Sequence, residues 1–82
     1  MKTLRIEKDA QKMLDKLDKH TYKRIFVALR GLLEEPPLGD IKPLKGELHG
    51  WFRLRIGGWR AEYEIINQTV CVHRVSSRGS AY

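Results

Sequence analysis

Three arginines lie close together in the stretch WFRLRIGGWRAEYEI, residues 51 to 65. Arg53 and Arg55 alternate with apolar residues along one predicted strand, and Arg60 follows the Gly57-Gly58 turn. Because successive side chains of a strand point to opposite faces, alternation places all three arginines on one face of a small sheet. A guanidinium offers a planar fork of donors that matches a phosphate. The pattern therefore predicts a phosphate-binding surface.

An alternative is that these arginines only form the polar outer face that an antiparallel sheet needs. They would then pair across strands with Glu62 or Glu64. Lysine, threonine or glutamate would serve that purpose equally well. Every Lys or Arg position from residue 53 onward is nevertheless arginine. This composition favours phosphate binding.

The charge balance of the chain also indicates a polyanionic partner. The 82 residues include 16 Lys and Arg against 10 Asp and Glu, a formal net charge of +6. Bases outnumber acids by seven to three in residues 42 to 82. Nucleic acid is therefore the first partner to consider.

Length and cysteine content narrow the class of protein. We expect one domain over residues 1–82, too short for a multi-step enzyme with a large cofactor. The single cysteine, Cys71, forbids an internal disulfide and a multi-cysteine metal site. No apolar run is long enough to span a bilayer, and no signal-peptide hydrophobic stretch is present. We therefore expect a soluble cytoplasmic protein with no membrane contact.

The N-terminal half predicts a strand and two helices. Alternation in KTLRIEK is typical of a short half-buried strand. Apolar residues at i, i+3, i+4 and i+7, beginning at Ala10, predict a first helix. Thr21 is predicted to cap a second helix, which Pro36 and Pro37 end. The two helices form an antiparallel hairpin with a shared apolar side.

The C-terminal half predicts strands. A Pro- and Gly-rich loop leads into an edge strand around residues 44 to 48. Three alternating segments follow, joined by Gly57-Gly58 and Asn67-Gln68: Phe52 to Ile56, Trp59 to Ile66 and Thr69 to Val75. We predict an α+β fold of order β-α-α-β-β-β, a small antiparallel sheet with the N-terminal helical hairpin packed on one face.

One residue conflicts with the alternation of the last strand. Arg74 shares the parity of the core-facing Val70 and Val72, so the strand is expected to twist or end near it. His73 has the outward parity, and a lone histidine on a strand is most often simply half-buried.

The segments KPLKGELHGWFRLRIGGWRAEYEI and TVCVHRVSSRGSAY resemble the RelE/ParE superfamily of bacterial toxins, and within it the RelE branch. The resemblance lies in a Leu-Lys-Gly strand, an aromatic followed by alternating basic and apolar residues, a Gly-aromatic-Arg turn, and a basic segment ending in Tyr. It implies a type II toxin that cuts mRNA in the ribosomal A site. In such toxins the RNA 2′-OH attacks the adjacent phosphate, with no metal or cofactor.

The resemblance also implies roles for particular residues. The residues that match catalytic positions of the RelE branch are Arg55, Arg60, Arg78 and Tyr82. Residues expected to bind RNA are Arg53, Arg74, Lys45 and Trp51. The implied partners are a cognate antitoxin, mRNA and ribosomal RNA, with DNA contacted only through an antitoxin complex.

The C-terminal segment departs from the pattern of many relatives, His-Arg-Arg-acid-x-Tyr. Here it reads SSRGSAY, so Ser77 stands in place of the imidazole acid/base, while Gly79 and Ser80 replace the second Arg and the acid. Tyr82 is a candidate base if a cluster of arginines lowers its pKa. The general base is therefore not identified.

Two other functions are compatible with the resemblance. A ParE-like inhibitor of DNA gyrase shares the fold but cuts no RNA. A purely interacting homologue would bind an antitoxin without being toxic.

Overall fold

Two helices and five strands make up the part of the chain that the computed structural model describes, residues 1–77. The elements in chain order are β1 (Thr3–Ile6), α1 (Lys8–Asp15), α2 (Lys19–Gly31), β2 (Asp40–Pro43), a 3₁₀ turn (Gly46–Leu48), β3 (Trp51–Ile56), β4 (Trp59–Ile66) and β5 (Thr69–Ser77). The predicted α+β class is confirmed, and so is the order of an N-terminal strand, two helices and a run of strands. Neither helix within residues 1–77 is long and apolar enough to cross a membrane.

The five strands form one sheet in the order β1-β5-β4-β3-β2. Neighbouring strands from β2 to β5 are antiparallel, as predicted, but β1 pairs in parallel with β5. The sheet is therefore mixed, which corrects the prediction of an antiparallel one. Both helices and three strands separate β1 from β5 along the chain, so no tight turn fixes their relative direction.

The edge strand lies at Asp40–Pro43 and not around residues 44 to 48. Its Ile41 pairs with Leu54 of β3, which puts an apolar side chain on the face toward the helices. Residues 46–48 form the 3₁₀ turn, where Gly46 has a φ of 72°. Four strands follow the helices, as many as the predicted segments, so the order is β-α-α-β-β-β-β and the predicted order β-α-α-β-β-β is one strand short.

The second helix starts earlier than predicted because Asp18, not Thr21, is its N-cap. The Asp18 carboxylate accepts hydrogen bonds from the backbone N–H of Thr21, at 3.1 Å, and from its hydroxyl, at 2.7 Å. These bonds satisfy a donor that the first helical turn leaves free. The helix ends at Gly31, well before the two prolines at 36 and 37.

The cap predicts a local dependence of stability on pH. The hydrogen bonds from Thr21 lower the pKa of Asp18 below its ordinary value of 3.8. A lowered folded-state pKa stabilises the fold above the unfolded-state pKa, and this contribution is lost as pH falls through the folded-state value. Asn keeps an oxygen for the cap but does not titrate. We therefore expect the melting temperature of Asp18→Asn to fall less than that of the wild type below about pH 4.

Thermal unfolding followed by circular dichroism between pH 2 and 7 measures this difference. Asp9→Asn, at an exposed position of α1, is the matched control and should follow the wild type. Parallel curves for wild type and Asp18→Asn would mean that the cap does not contribute to acid sensitivity.

One face of the sheet packs on the helices and forms the core. Its buried members come from both helices, from the residue after α2 and from β3, β4 and β5: Ala10, Leu14, Ile25, Leu29, Leu32, Leu54, Ala61, Tyr63, Val70, Val72 and Val75. Trp59 packs against this cluster, as its parity predicts. Two-residue turns join the strands, with positive φ at Gly57 and at both Asn67 and Gln68.

A β-bulge in the last strand resolves the conflict at Arg74. Glu62 pairs with Arg74 and Tyr63 pairs with Val72, so His73 is the extra residue. A bulge of this kind inserts one residue into one strand and reverses the parity beyond it. Arg74 therefore lies on the face away from the helices, while Val75 still points into the core. The strand continues to Ser77.

Candidate functional site

The face of the sheet away from the helices, here called the open face, gathers the arginines from three strands. Cross-strand pairs place Arg55 opposite Arg60, Arg53 opposite Glu62, and Glu62 opposite Arg74. We call these five residues the arginine cluster. Because opposite side chains in an antiparallel pair lie on the same face, the register places four arginines on the same face as Glu62.

Glu62 is the common anion of the arginine cluster. It is only 4% exposed. One carboxylate oxygen accepts a hydrogen bond from Arg60 Nη2 at 2.9 Å, and the other lies 3.3 Å from Arg74 Nη1. A buried carboxylate is tolerated when it is paired in this way. The pairing leaves Arg74 largely exposed, with 65% of its side chain accessible, so this guanidinium extends from the anchored carboxylate toward solvent.

Arg53 lies beneath the surface of the open face. It is 6% exposed, and its nearest acid is Asp40 of the edge strand, with 3.8 Å between Arg53 Nη2 and the carboxylate. Within residues 1–77 its other terminal nitrogen, Nη1, has no hydrogen-bond partner. Because buried donors are normally hydrogen-bonded, Nη1 is available to bind an additional anion or polar group. The RNA contact of Arg53 remains a prediction. Because Arg53 is buried, RNA could reach it only below the surface of the open face.

Arg55 is the exposed arginine of β3, and it pairs in register with Arg60. Like charges directly opposite each other destabilise a sheet unless an anion lies between them. This pair therefore provides the part of the open face best suited to bind a phosphate in a bidentate manner.

A second cluster occupies the same face farther along the strands. The rings of Trp51 and His73 are stacked, with centroids 4.2 Å apart and an angle of 10° between the planes. His73 Nε2 and a carboxylate oxygen of Glu64 are 2.6 Å apart. Trp51 lies four residues from Arg55 along β3, about 13 Å in an extended strand. The predicted RNA-binding Trp51 is thus an aromatic element separate from the arginine cluster.

The other predicted site residues are not members of these clusters or fall outside the described range. Lys45 is exposed next to the 3₁₀ turn. Arg78 and Tyr82 fall outside the described residues, so their catalytic roles remain predictions.

Tyr63 belongs to the core, where burial raises its pKa to about 12, and it therefore stays protonated at neutral pH.

Sequence reasoning missed two features of this face. It assigned Glu62 to Arg53 or Arg55, whereas the ion pairs run to Arg60 and Arg74. It also treated His73 as isolated, although His73 contacts both Trp51 and Glu64. The bulge accounts for the first of these, because it turns Arg74 to the open face, on which His73 already lies by parity.

Solved structures of bacterial and archaeal proteins share this fold. A chain of the RelBE2 toxin–antitoxin complex from Mycobacterium tuberculosis aligns with a TM-score of 0.80 and 34% identity, covering 94% of this chain and 98% of that one. The RelB–RelE antitoxin–toxin complex from Methanococcus jannaschii gives 0.76 and 28%, covering 95% and 94%. The isolated E. coli RelE toxin gives 0.76 at 22% identity, covering 94% and 84%, a likeness of fold alone. No curated protein matches the sequence.

The fold and its similarities thus define a toxin of the RelE/ParE superfamily. The family model described as the ParE toxin of the type II toxin–antitoxin system parDE matches residues 4–82, so the chain belongs to this family.

Proposed function

We propose that this toxin is a ribosome-dependent mRNA endonuclease that cleaves the codon in the A site and so inhibits translation. The observation that supports this most directly is the arginine cluster, in which Arg55 and Arg60 lie opposite each other on the open face. Such a surface suits a phosphodiester, whose charge grows during cleavage.

The reaction proposed is an internal transesterification. The 2′-oxygen attacks the adjacent phosphorus, the bond to the 5′-oxygen breaks, and the products are a 2′,3′-cyclic phosphate and a free 5′-hydroxyl. One proton leaves the 2′-OH and one reaches the departing 5′-oxygen. The protein must hold the phosphate for in-line attack and stabilise the extra negative charge, and arginines perform both tasks.

Individual roles follow from position and chemistry. Arg60, anchored by Glu62, would clamp the reacting phosphate, and Arg55 would face it from β3. Arg78 would stabilise the leaving oxygen, and Tyr82 would stack on or orient a base. Arg74, Lys45 and Trp51 would bind flanking RNA. Neither metal nor cofactor is required by this mechanism.

A cognate antitoxin is the proposed protein partner. The similar structures from Mycobacterium tuberculosis and Methanococcus jannaschii are toxin–antitoxin complexes. An acidic or amphipathic segment would lie across the sheet and helices and neutralise the arginine cluster. The other partners are mRNA and ribosomal RNA in the cytoplasm, with DNA reached only through the antitoxin.

Inhibition of DNA gyrase is the alternative function, because the matching family model is that of a ParE toxin. ParE-like chains tend to have longer helices than the 8 and 13 residues of α1 and α2. The arginines of the open face also favour RNA. We therefore place gyrase inhibition second.

Primer extension on mRNA from cells that briefly express the toxin separates the two functions. We expect cuts phased with codons and unchanged supercoiling of a plasmid. Growth arrest with relaxed or broken plasmid DNA and intact mRNA would favour gyrase inhibition. A protein that affects neither would be an inactive, antitoxin-binding homologue.

A further inference from the structure

Glu62 is buried more deeply than the arginines it binds. Its side chain is 5% exposed, against 24% for Arg60 and 65% for Arg74. The carboxylate therefore lies under the guanidiniums and does not meet a phosphate bound on the open face. Any effect of Glu62 on the reaction must pass through Arg60 and Arg74.

The pairing of Glu62 is selective. Arg53 and Arg74 are both its cross-strand partners, yet the ion pairs run to Arg74 of β5, at 3.3 Å, and along β4 to Arg60, at 2.9 Å. One carboxylate thus contacts arginines from two strands. Its Oε2 accepts the hydrogen bond from Arg60, and its Oε1, which has no hydrogen-bond partner within residues 1–77, is ion-paired with Arg74. A residue that only neutralised its cross-strand neighbours would not also bind Arg60 of its own strand.

We propose that Glu62 is a positioning residue that fixes Arg60 and Arg74 for the reacting phosphate and lowers the charge of the arginine cluster by one. This inference rests on the proposed function. Arginines that are ordered before RNA binds lose less freedom in the transition state. A lower positive charge of the arginine cluster weakens the binding of RNA before it reacts. This loss does not lower kcat, because kcat depends only on interactions that are stronger in the transition state than in the bound substrate. Glu62 therefore favours cleavage rate over RNA affinity.

Glu62→Gln keeps the size of the side chain but removes its charge. The two effects predict that this variant binds RNA more tightly and cleaves it more slowly. RNA should bind more tightly at low salt, because one additional cationic charge becomes available. For single strands, each neutralised phosphate contributes about 0.7 to the slope of log affinity against log salt. The slope of Glu62→Gln should therefore be steeper by about 0.7. The single-turnover cleavage rate at saturation should fall about 10- to 100-fold, as expected for misplaced catalytic groups.

The binding probe is a single-stranded oligoribonucleotide with one 2′-deoxy position at the scissile link, titrated between 50 and about 300 mM salt, the range in which counterion release dominates. Cleavage is measured on programmed ribosomes with the matching all-ribo mRNA. Glu34→Gln is the matched control, since it makes the same change of net charge at an exposed position after α2. Glu62→Asp keeps the charge with a shorter side chain, so its salt slope should equal that of the wild type while its rate falls. Thermal unfolding of each variant shows that the fold is kept.

A purely structural role for Glu62 would lower binding and cleavage together, in proportion to lost folded protein, and would overturn the inference. So would a salt slope in Glu62→Gln that matches the slope of Glu34→Gln. A wild-type protein that binds the probe but cuts no mRNA would overturn the proposed function and the cleavage part of this inference. The salt slopes would then still decide whether Glu62 sets the charge of the arginine cluster.

Discussion

Replacing Arg60 with alanine is expected to abolish mRNA cleavage while the protein remains folded. The guanidinium of Arg60 is held on the open face by its hydrogen bond to Glu62, opposite Arg55 in register. Removing a group that stabilises developing charge typically lowers a rate about 100- to 1,000-fold. Glu62 retains Arg74 as an ion-pair partner in the variant, so we expect the fold to survive.

Primer extension in expressing cells and cleavage on purified ribosomes measure the loss. Arg30→Ala is the control, since Arg30 is an exposed arginine in the last turn of α2, which packs on the opposite side of the sheet. It should leave cleavage near the wild-type rate, and melting curves of both variants should be similar to that of the wild type. An Arg60→Ala protein that is still fully toxic would show that the site assignment is wrong.

Leu54→Asp is expected to unfold the protein. Leu54 is 1% exposed in the core. Removing a buried leucine side chain costs about 2 to 5 kcal/mol, and burying an unpaired carboxylate adds several kcal/mol more. The whole free energy of unfolding of a domain of this size is about 4 to 12 kcal/mol. The sum is comparable to the total stability, so the folded state should be lost.

Circular dichroism and amide proton dispersion in NMR spectra of the purified variant test this expectation. Arg55→Asp is the matched control, because Arg55 is the next residue of β3 and faces solvent on the other side of the sheet. This variant should stay folded even though it places a new acid on the open face. A folded Leu54→Asp protein would contradict the assignment of the two faces.

Leu54 and Arg55 also show what the alternation of apolar and polar residues predicts in this chain. Alternation along β3 and β4 is a local property, and it correctly separated Leu54 and Trp59 from Arg55 and Arg60. The turn at Gly57-Gly58 was predictable for the same reason, since it needs a positive φ that glycine adopts easily. The predicted positions of β2 and of the start of α2 were less accurate. In both cases several neighbouring residues could begin the element. Asp18 and Thr21 are both good caps, and the choice depends on where the helix begins to pack.

The sequence by itself determined the α+β class, the strands that carry the arginines and the face on which Arg53, Arg55 and Arg60 lie, because each of these follows from short-range alternation and turn chemistry. The tertiary structure alone decided which groups meet across strands. It paired β1 in parallel with β5, it brought Arg74 to Glu62 through the bulge at His73, and it stacked His73 on Trp51. It also buried Arg53. Register and bulge position are set by the fit of whole strands to one another and to the helices, so no local pattern encodes them.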